Sequence, residues 1–430
     1  MRRQSRRFCC WLAALALIVG GSIAGPAHSD LAAPIFKRGA TLVEFFQFPA
    51  TTGAGAAKSY ADPAYPHAQS ALNLFDFDEL RRMGFDHMRV PLDVGPLMTA
   101  DEDERAAIIN QLLNVVAEIN SHGLSVVVPL FPPSLQHELP ETWLDGLDGP
   151  KFKAYLAQVE RVAAALQTVH TGVVAMEAMN EPQDKCRALF ATDWTTYQEF
   201  MVARIRRVAP QLPLFLTGGC WSDIQGIVEL DSDLVRDPRN YISVHFYRPF
   251  LFTHQGSWWT TSFAKGTTGV PYPASAGSAA ETLALTRARF GTFAATPDFD
   301  PAAAERKAES EIGKYFATGE GPAQIDGWMK QLADWQLRER VDPSHIVFTE
   351  FGAIKQTIDG SEFDRASRAR WLRDTSSAIE NRGWGWTVFV LRDDPFGLYV
   401  HEGERYPDAR LLRALRLNAP KDSAAALPGD

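Results

Sequence analysis

The chain has 430 residues, 46% of them hydrophobic, with 31 Gly, 27 Pro and 4 Cys. That is a globular composition, and it excludes a collagen-like, low-complexity or disulfide-stapled miniprotein. The 43 Lys and Arg face 52 Asp and Glu, a net charge of −9, and an acidic chain with no basic stripe is not built to hold nucleic-acid phosphates or an anionic membrane surface.

In chain order, the first 29 residues read as an export signal. Arg2, Arg3, Arg6 and Arg7 precede an apolar or small-residue run over 8–24. Ala27 and Ser29 then fit a small-x-small cleavage site, with the cut after Ser29 or after Ala27. The alternative is a retained anchor, for which the run is near the short limit. Cys9 and Cys10 leave with a cleaved signal. Cys186 and Cys220 then remain in an oxidising compartment, where they either pair as a disulfide or stay as two buried thiols. No Cys/His spacing in the mature chain suggests a metal site.

Eight β-rich runs follow, over 41–46, 87–91, 124–130, 173–179, 214–217, 241–246, 346–351 and 386–391. Helical patterns lie between them, over 101–122, 152–170, 194–208, 325–339 and 365–381. In the first of these, Ile108, Leu112, Val115, Val116 and Ile119 recur on one side, with Asp101 at the start and Gly123 at the stop. Continuously apolar strands such as Val126-Val127-Val128 suit a parallel sheet covered by helices. The expectation is a single (β/α)8 TIM-barrel domain over 30–417, with a small, polar, frayed tail over 418–430. A doubly wound open sheet is the alternative, but no Gly-rich dinucleotide loop follows the first strand. The stretch 248–322 breaks the rhythm as a long insertion after strand six, with helical pieces over 279–289 and 302–316.

Polar clusters stand at the strand ends: Arg89 in Met-Arg-Val-Pro, Asn180-Glu181-Pro182, His245-Phe-Tyr247, His254-Gln255, and Glu350 in Phe-Thr-Glu-Phe-Gly. Burying an unpaired carboxylate is costly, so acids in apolar strands need a reason. Strands four and seven face each other across a barrel, and two carboxyls flanking one bond are what glycosidic cleavage uses. Arg89 can hold one of them ionised by charge pairing. Trp258, Trp259, Phe263 and Tyr272 on the insertion either offer flat faces to sugar rings or pack locally beneath the loop.

The ordered set Arg-Val-Pro, Asn-Glu-Pro, His-x-Tyr and Thr-Glu-Phe-Gly resembles family 5 glycoside hydrolases of clan A, the cellulase family. The stretch from His245 to Trp259 is similar to a loop of its bacterial endo-β-1,4-glucanases. The resemblance runs from Arg38 to Leu398. It implies Glu181 as general acid/base, Glu350 as nucleophile and Asn180 as ligand of the sugar 2-hydroxyl. Arg89 and Tyr247 would contact Glu350, and His245 would sit near Glu181. His254, Gln255 and Trp259 would help line the cleft. The sequence departs from the family at Phe131, where a substrate-binding His is expected, and on strand eight, where Phe389, with Trp386 close by, stands for the usual Trp platform. The function implied is a retaining, endo-acting β-1,4-glucanase, secreted or periplasmic and monomeric, needing no metal or organic cofactor. β-Mannan, mixed-linkage glucan or an exopolysaccharide stay open as substrates. Transglycosylation by the same carboxylates stays open too, as does a polysaccharide-binding protein on the same scaffold.

Overall fold

A computed structural model describes residues 36–135, 140–183, 194–357, 360–392, 395–399 and 404–420. The expected signal, Cys186 and the tail beyond 420 lie outside the described residues.

Among the described residues, eight strands close into a ring: β1 (Arg38–Thr41), β2 (His87–Arg89), β3 (Ser125–Phe131), β4 (Val174–Glu177), β5 (Leu214–Thr217), β6 (Asn240–Phe246), β7 (Ile346–Phe351) and β8 (Gly385–Val388). Each pairs in parallel with the next, and β8 pairs with β1, so the sheet closes. This is a (β/α)8 barrel. Its helices are α1 (Phe77–Met83), α2 (Glu102–Ser121), α3 (Pro150–Leu166), α4 (Trp194–Val208), α5 (Ile224–Ile227), α6 (Pro322–Glu339), α7 (Arg365–Glu380) and α8 (Ala409–Ala414). Asp101 caps α2 in a reciprocal box with Glu104.

Strand periodicity sorts the side chains. Inward positions at the lower end hold Val127, Ala175, Phe215, Tyr241 and Val347, which pack with Phe36 as an apolar floor. One step of two residues higher come Glu177 on β4, Ser243 on β6 and Thr349 on β7, so a polar layer rests on that floor. Outward positions such as Phe348 and Phe351 join the large sheet–helix core.

β1 lies three residues earlier than the sequence suggests, because the apolar run that mimics a strand, 42–46, follows the ladder rather than forming it. The ladder uses Gly39, since a Cβ there would meet the buried His87 ring at 2.1 Å. The insertion is largely helical, with Ala279–Phe290 and Pro301–Thr318 as its main pieces.

Trp386 is a correction. It points outward from β8, is fully buried between Phe85 and Phe351, and donates from its indole N–H to Glu380 of α7 at 2.9 Å. It belongs to the sheet–helix core and does not reach the cleft. Trp386→Ala should therefore cost about 3–5 kcal/mol in chemical denaturation, as a core Trp truncation does. Any catalytic KM of the folded variant should stay at the wild-type value.

Candidate active site

β7 carries one extra residue against β6. Val347 pairs with Ser243 and Glu350 with His245, so three steps on β7 match two on β6. A bulge of this kind re-aims a side chain. Strict alternation from the inward Val347 and Thr349 would turn Glu350 out toward the helices. The bulge turns it into the barrel, where its side chain is 6% exposed.

Arg89, at the end of β2, lies beneath it with no exposed surface. Its guanidinium donates to Glu350 Oε1 at 2.5 Å and to Asn180 Oδ1 at 2.6 Å, and reaches Glu177 Oε1 at 3.3 Å. Tyr247 donates its hydroxyl to Glu350 Oε2 at 2.9 Å. His245 Nδ1 stands 2.9 Å from Glu181 Oε1 and 3.6 Å from Glu350 Oε2. Glu181 follows β4 with φ of +44°, a left-handed conformation rare outside glycine. Oxygens of Glu181 and Glu350 and a ring nitrogen of His245 all lie within 4.8 Å of one another.

The two carboxyls are pushed apart in acidity. Burial raises the Glu181 carboxyl above the usual range, and the nearby Glu350 charge adds to that. Burial acts on Glu350 in the same sense but is outweighed. The charges of His245 and Arg89, with hydrogen bonds from Tyr247 and Arg89, hold it below the usual range. The three-residue group is also the set of His and carboxylate donors that could gather around a cation. Arg89, 2.5 Å from Glu350 Oε1, already supplies a positive charge there and opposes a second one.

Above these groups opens a cleft of about 570 Å³, lined by Glu181, Trp221, His245, Tyr247, His254 and Trp259 among others. Trp259 is 46% exposed on the wall of this cleft. His254 stacks on Phe250 at 4.3 Å, and burial pushes its imidazole down to about 3, so it is neutral. Gln255 is a second correction. It is buried, its amide NH₂ donates to the carbonyls of Phe252 and Val270, and its Oε1 accepts from Val270 N at 2.9 Å. Both amide hydrogens and the amide oxygen are thus engaged in bracing the insertion. Phe389 sits half-buried and edge-on to Tyr247 and Phe396. The ring of Phe131 lies 5.9 Å from the Arg89 guanidinium carbon.

Two groups escaped the sequence reading. Trp221 is 47% exposed on the cleft wall, in a run of three left-handed residues, Cys220, Trp221 and Ser222, with φ of +54°, +58° and +58°. Its place just after a strand end was the available signal. Cys220 is in a disulfide; its expected partner, Cys186, lies outside the described residues. Glu177 is an acid within an apolar strand, the same signal that marked Glu350.

The family profile described as "Cellulase (glycosyl hydrolase family 5)" matches residues 73–394, three quarters of the sequence. The chain belongs to this family. Among family relatives, Cellodextrinase A of Ruminococcus flavefaciens is 24% identical over 192 residues, 44% of this chain and 56% of that protein. Endoglucanase 3 of Fibrobacter succinogenes is 22% identical over 321 residues, 71% of this chain and 44% of that protein. This family 5 chain thus spans about half the length of the curated relatives it matches. Thermotoga maritima Cel5A, solved with mannotriose, shares the fold at a TM-score of 0.59 and 18% identity, over 89% of this chain and 98% of that one. The cellulose synthase subunit Z of Clostridioides difficile does so at 0.58 and 18%, over 88% and 99%.

Truncating Arg89 tests the electrostatics of the centre. Arg89→Ala leaves Glu177 and Glu350 buried without their cation and should cost about 3–5 kcal/mol near neutral pH. Without the cation, burial has less to oppose it at Glu350 and the folded-state pKa of that carboxyl rises. The stability deficit should therefore shrink as pH falls through the raised Glu350 pKa, because protonation removes an unpaired buried charge. Urea denaturation at a series of pH values reads this directly.

Proposed function

We propose that the chain is a retaining, endo-acting glycoside hydrolase that cleaves β-1,4-glucan. The observation that carries this reading is a pair of carboxyls with oxygens within 4.8 Å of each other at the foot of one cleft, Glu181 raised in pKa by burial and Glu350 lowered by His245 and Arg89. Retaining enzymes place their carboxyls about 5–5.5 Å apart, and inverting ones leave about 6.5 Å or more for a water.

In this reading a glycan chain lies across Trp221 and Trp259. Glu350 attacks the anomeric carbon while Glu181 gives its proton to the departing oxygen. Glu181, now ionised, deprotonates the water that releases the sugar from Glu350. Arg89 and Tyr247 orient Glu350. Asn180, its Oδ1 engaged by Arg89, is left with its NH₂ for the sugar 2-hydroxyl. The endoglucanase and cellodextrinase relatives favour a β-glucan. The Cel5A complex with mannotriose favours β-mannan as the second substrate to test. Export across a membrane agrees with the disulfide at Cys220, and no helix among the described residues is long and apolar enough to cross one.

Reducing ends released from carboxymethyl-cellulose, mixed-linkage glucan, glucomannan, mannan and xylan test the substrate. Glucans should be cut by the wild type and not by Glu350→Gln; activity surviving in the variant refutes the nucleophile. Trp221→Ala should raise KM on a soluble glucan roughly tenfold, the loss of one aromatic face, with a smaller change in kcat. On an aryl β-cellobioside, kcat/KM should follow a bell. The acid limb is protonation of Glu350 and the alkaline limb is loss of the Glu181 proton. Glu181→Ala should keep the acid limb and lose the alkaline one.

A further inference from the structure

Glu177 takes no part in the two-carboxylate chemistry, yet it is a carboxylate with no exposed surface inside the barrel. One of its oxygens faces the Arg89 guanidinium at 3.3 Å, and the other accepts from Ser243 Oγ at 2.7 Å. Ser243 in turn meets Thr349, the residue before Glu350, at 2.5 Å. The chain of contacts therefore starts at Glu350, passes through Arg89, Glu177 and Ser243, and returns to the strand that carries Glu350.

Charge conservation gives Glu177 a task. When Glu350 forms a bond to the anomeric carbon, the bond to the leaving oxygen breaks and that oxygen takes the Glu181 proton. Glu350 ends as a neutral ester and Glu181 as a carboxylate. The total charge is unchanged, but the anion 2.5 Å from Arg89 is gone. Arginine cannot shed its proton in a protein, and an unpaired buried charge is costly. Asn180 offers Arg89 only an amide oxygen. Glu177 is the carboxylate beside Arg89 that the reaction leaves untouched.

We propose that Glu177 is a positioning residue, the permanent counter-charge that holds Arg89 in place while Glu350 passes from carboxylate to ester and back. The proposal rests on the retaining reading above. It makes Glu177 a tuner of the nucleophile. With Glu177 present, Arg89 is shared between two anions. Without it, Arg89 binds the ionised Glu350 alone and resists its conversion to either ester or acid. The other charged or titratable groups facing this pair are His245 and Tyr247 on β6 and its end, Glu181 beyond β4, and Tyr155 on α3.

The test is the pH profile of kcat/KM on an aryl β-cellobioside for the wild type, Glu177→Gln and Glu177→Asp. Glu177→Gln keeps the shape and removes the charge. Its acid limb should move to lower pH by about half a unit or more, and kcat/KM at the optimum should fall on the order of tenfold or more, because a nucleophile bound more tightly as an anion attacks more slowly. Glu177→Asp withdraws the charge by one methylene and should shift the limb in the same direction by less. It carries the test if the Gln variant does not fold. A residue needed only for folding would lower the melting temperature and leave the limb where it is, and acid limbs at the wild-type pH in both variants would overturn the proposal. A wild-type protein that turns over no β-glycoside would refute the retaining reading, and the proposal with it. An active wild type with unmoved limbs would refute the proposal alone.

Discussion

A guanidinium with no exposed surface has to be met by anions or by oxygen acceptors, and in this barrel Arg89 is met by three side chains from three places in the chain. Glu177 comes from β4, Asn180 from just beyond it and Glu350 from the far wall. The desolvation cost of such a charge is several kcal/mol, and it is recovered only if every partner stands in register. Much of the upper barrel can be understood as meeting that condition. The bulge in β7 brings Glu350 inward, the apolar floor supports the polar layer, and Ser243 and Thr349 satisfy what remains of Glu177 and its neighbours.

The same arrangement separates two chemically identical side chains. Glu350 faces a cation, a phenol and a histidine, whereas at Glu181 burial, with the charge of Glu350, outweighs the same histidine. One carboxyl is thereby lowered in pKa where the other is raised. Glu181 also sits in a left-handed backbone conformation that costs on the order of 1–3 kcal/mol. Such strain persists because the hydrogen bonds on either side of it are fixed: Asn180 N donates to Leu130 O at 2.8 Å, and Trp221 N donates to Pro182 O at 3.2 Å. The acid and the aromatic wall of the cleft are thus tied to one another through the backbone.

Most of the fold was legible because parallel barrel strands are apolar on both faces and their helices carry regular stripes. The first strand was misplaced because Gly39, facing the His87 ring inside the barrel, and the small outward Ala40 give the ladder little hydrophobic signal. The meeting of Arg89, Asn180, Glu181, His245, Tyr247 and Glu350 was legible from their places at strand ends. Sequence period alone could not supply the bulge that aims Glu350, nor tell an outward Trp386 from an inward one. Gln255 has the residue type of a sugar ligand, and only its three bonds to backbone show that it is occupied. Glu177 carried the same mark as Glu350, an acid in an apolar strand, but no motif drew attention to it.

The central claim is that Glu350, held ionised by Arg89, becomes covalently attached to the sugar. A 2-deoxy-2-fluoro cello-oligosaccharide with an activated leaving group tests it most directly, because it slows the release of such an intermediate. Intact-mass and peptide-level mass spectrometry should find one glycosyl unit added per chain, located on Glu350. An adduct on Glu181, or steady consumption of the reagent with no adduct and with inversion at the anomeric carbon, would contradict the account.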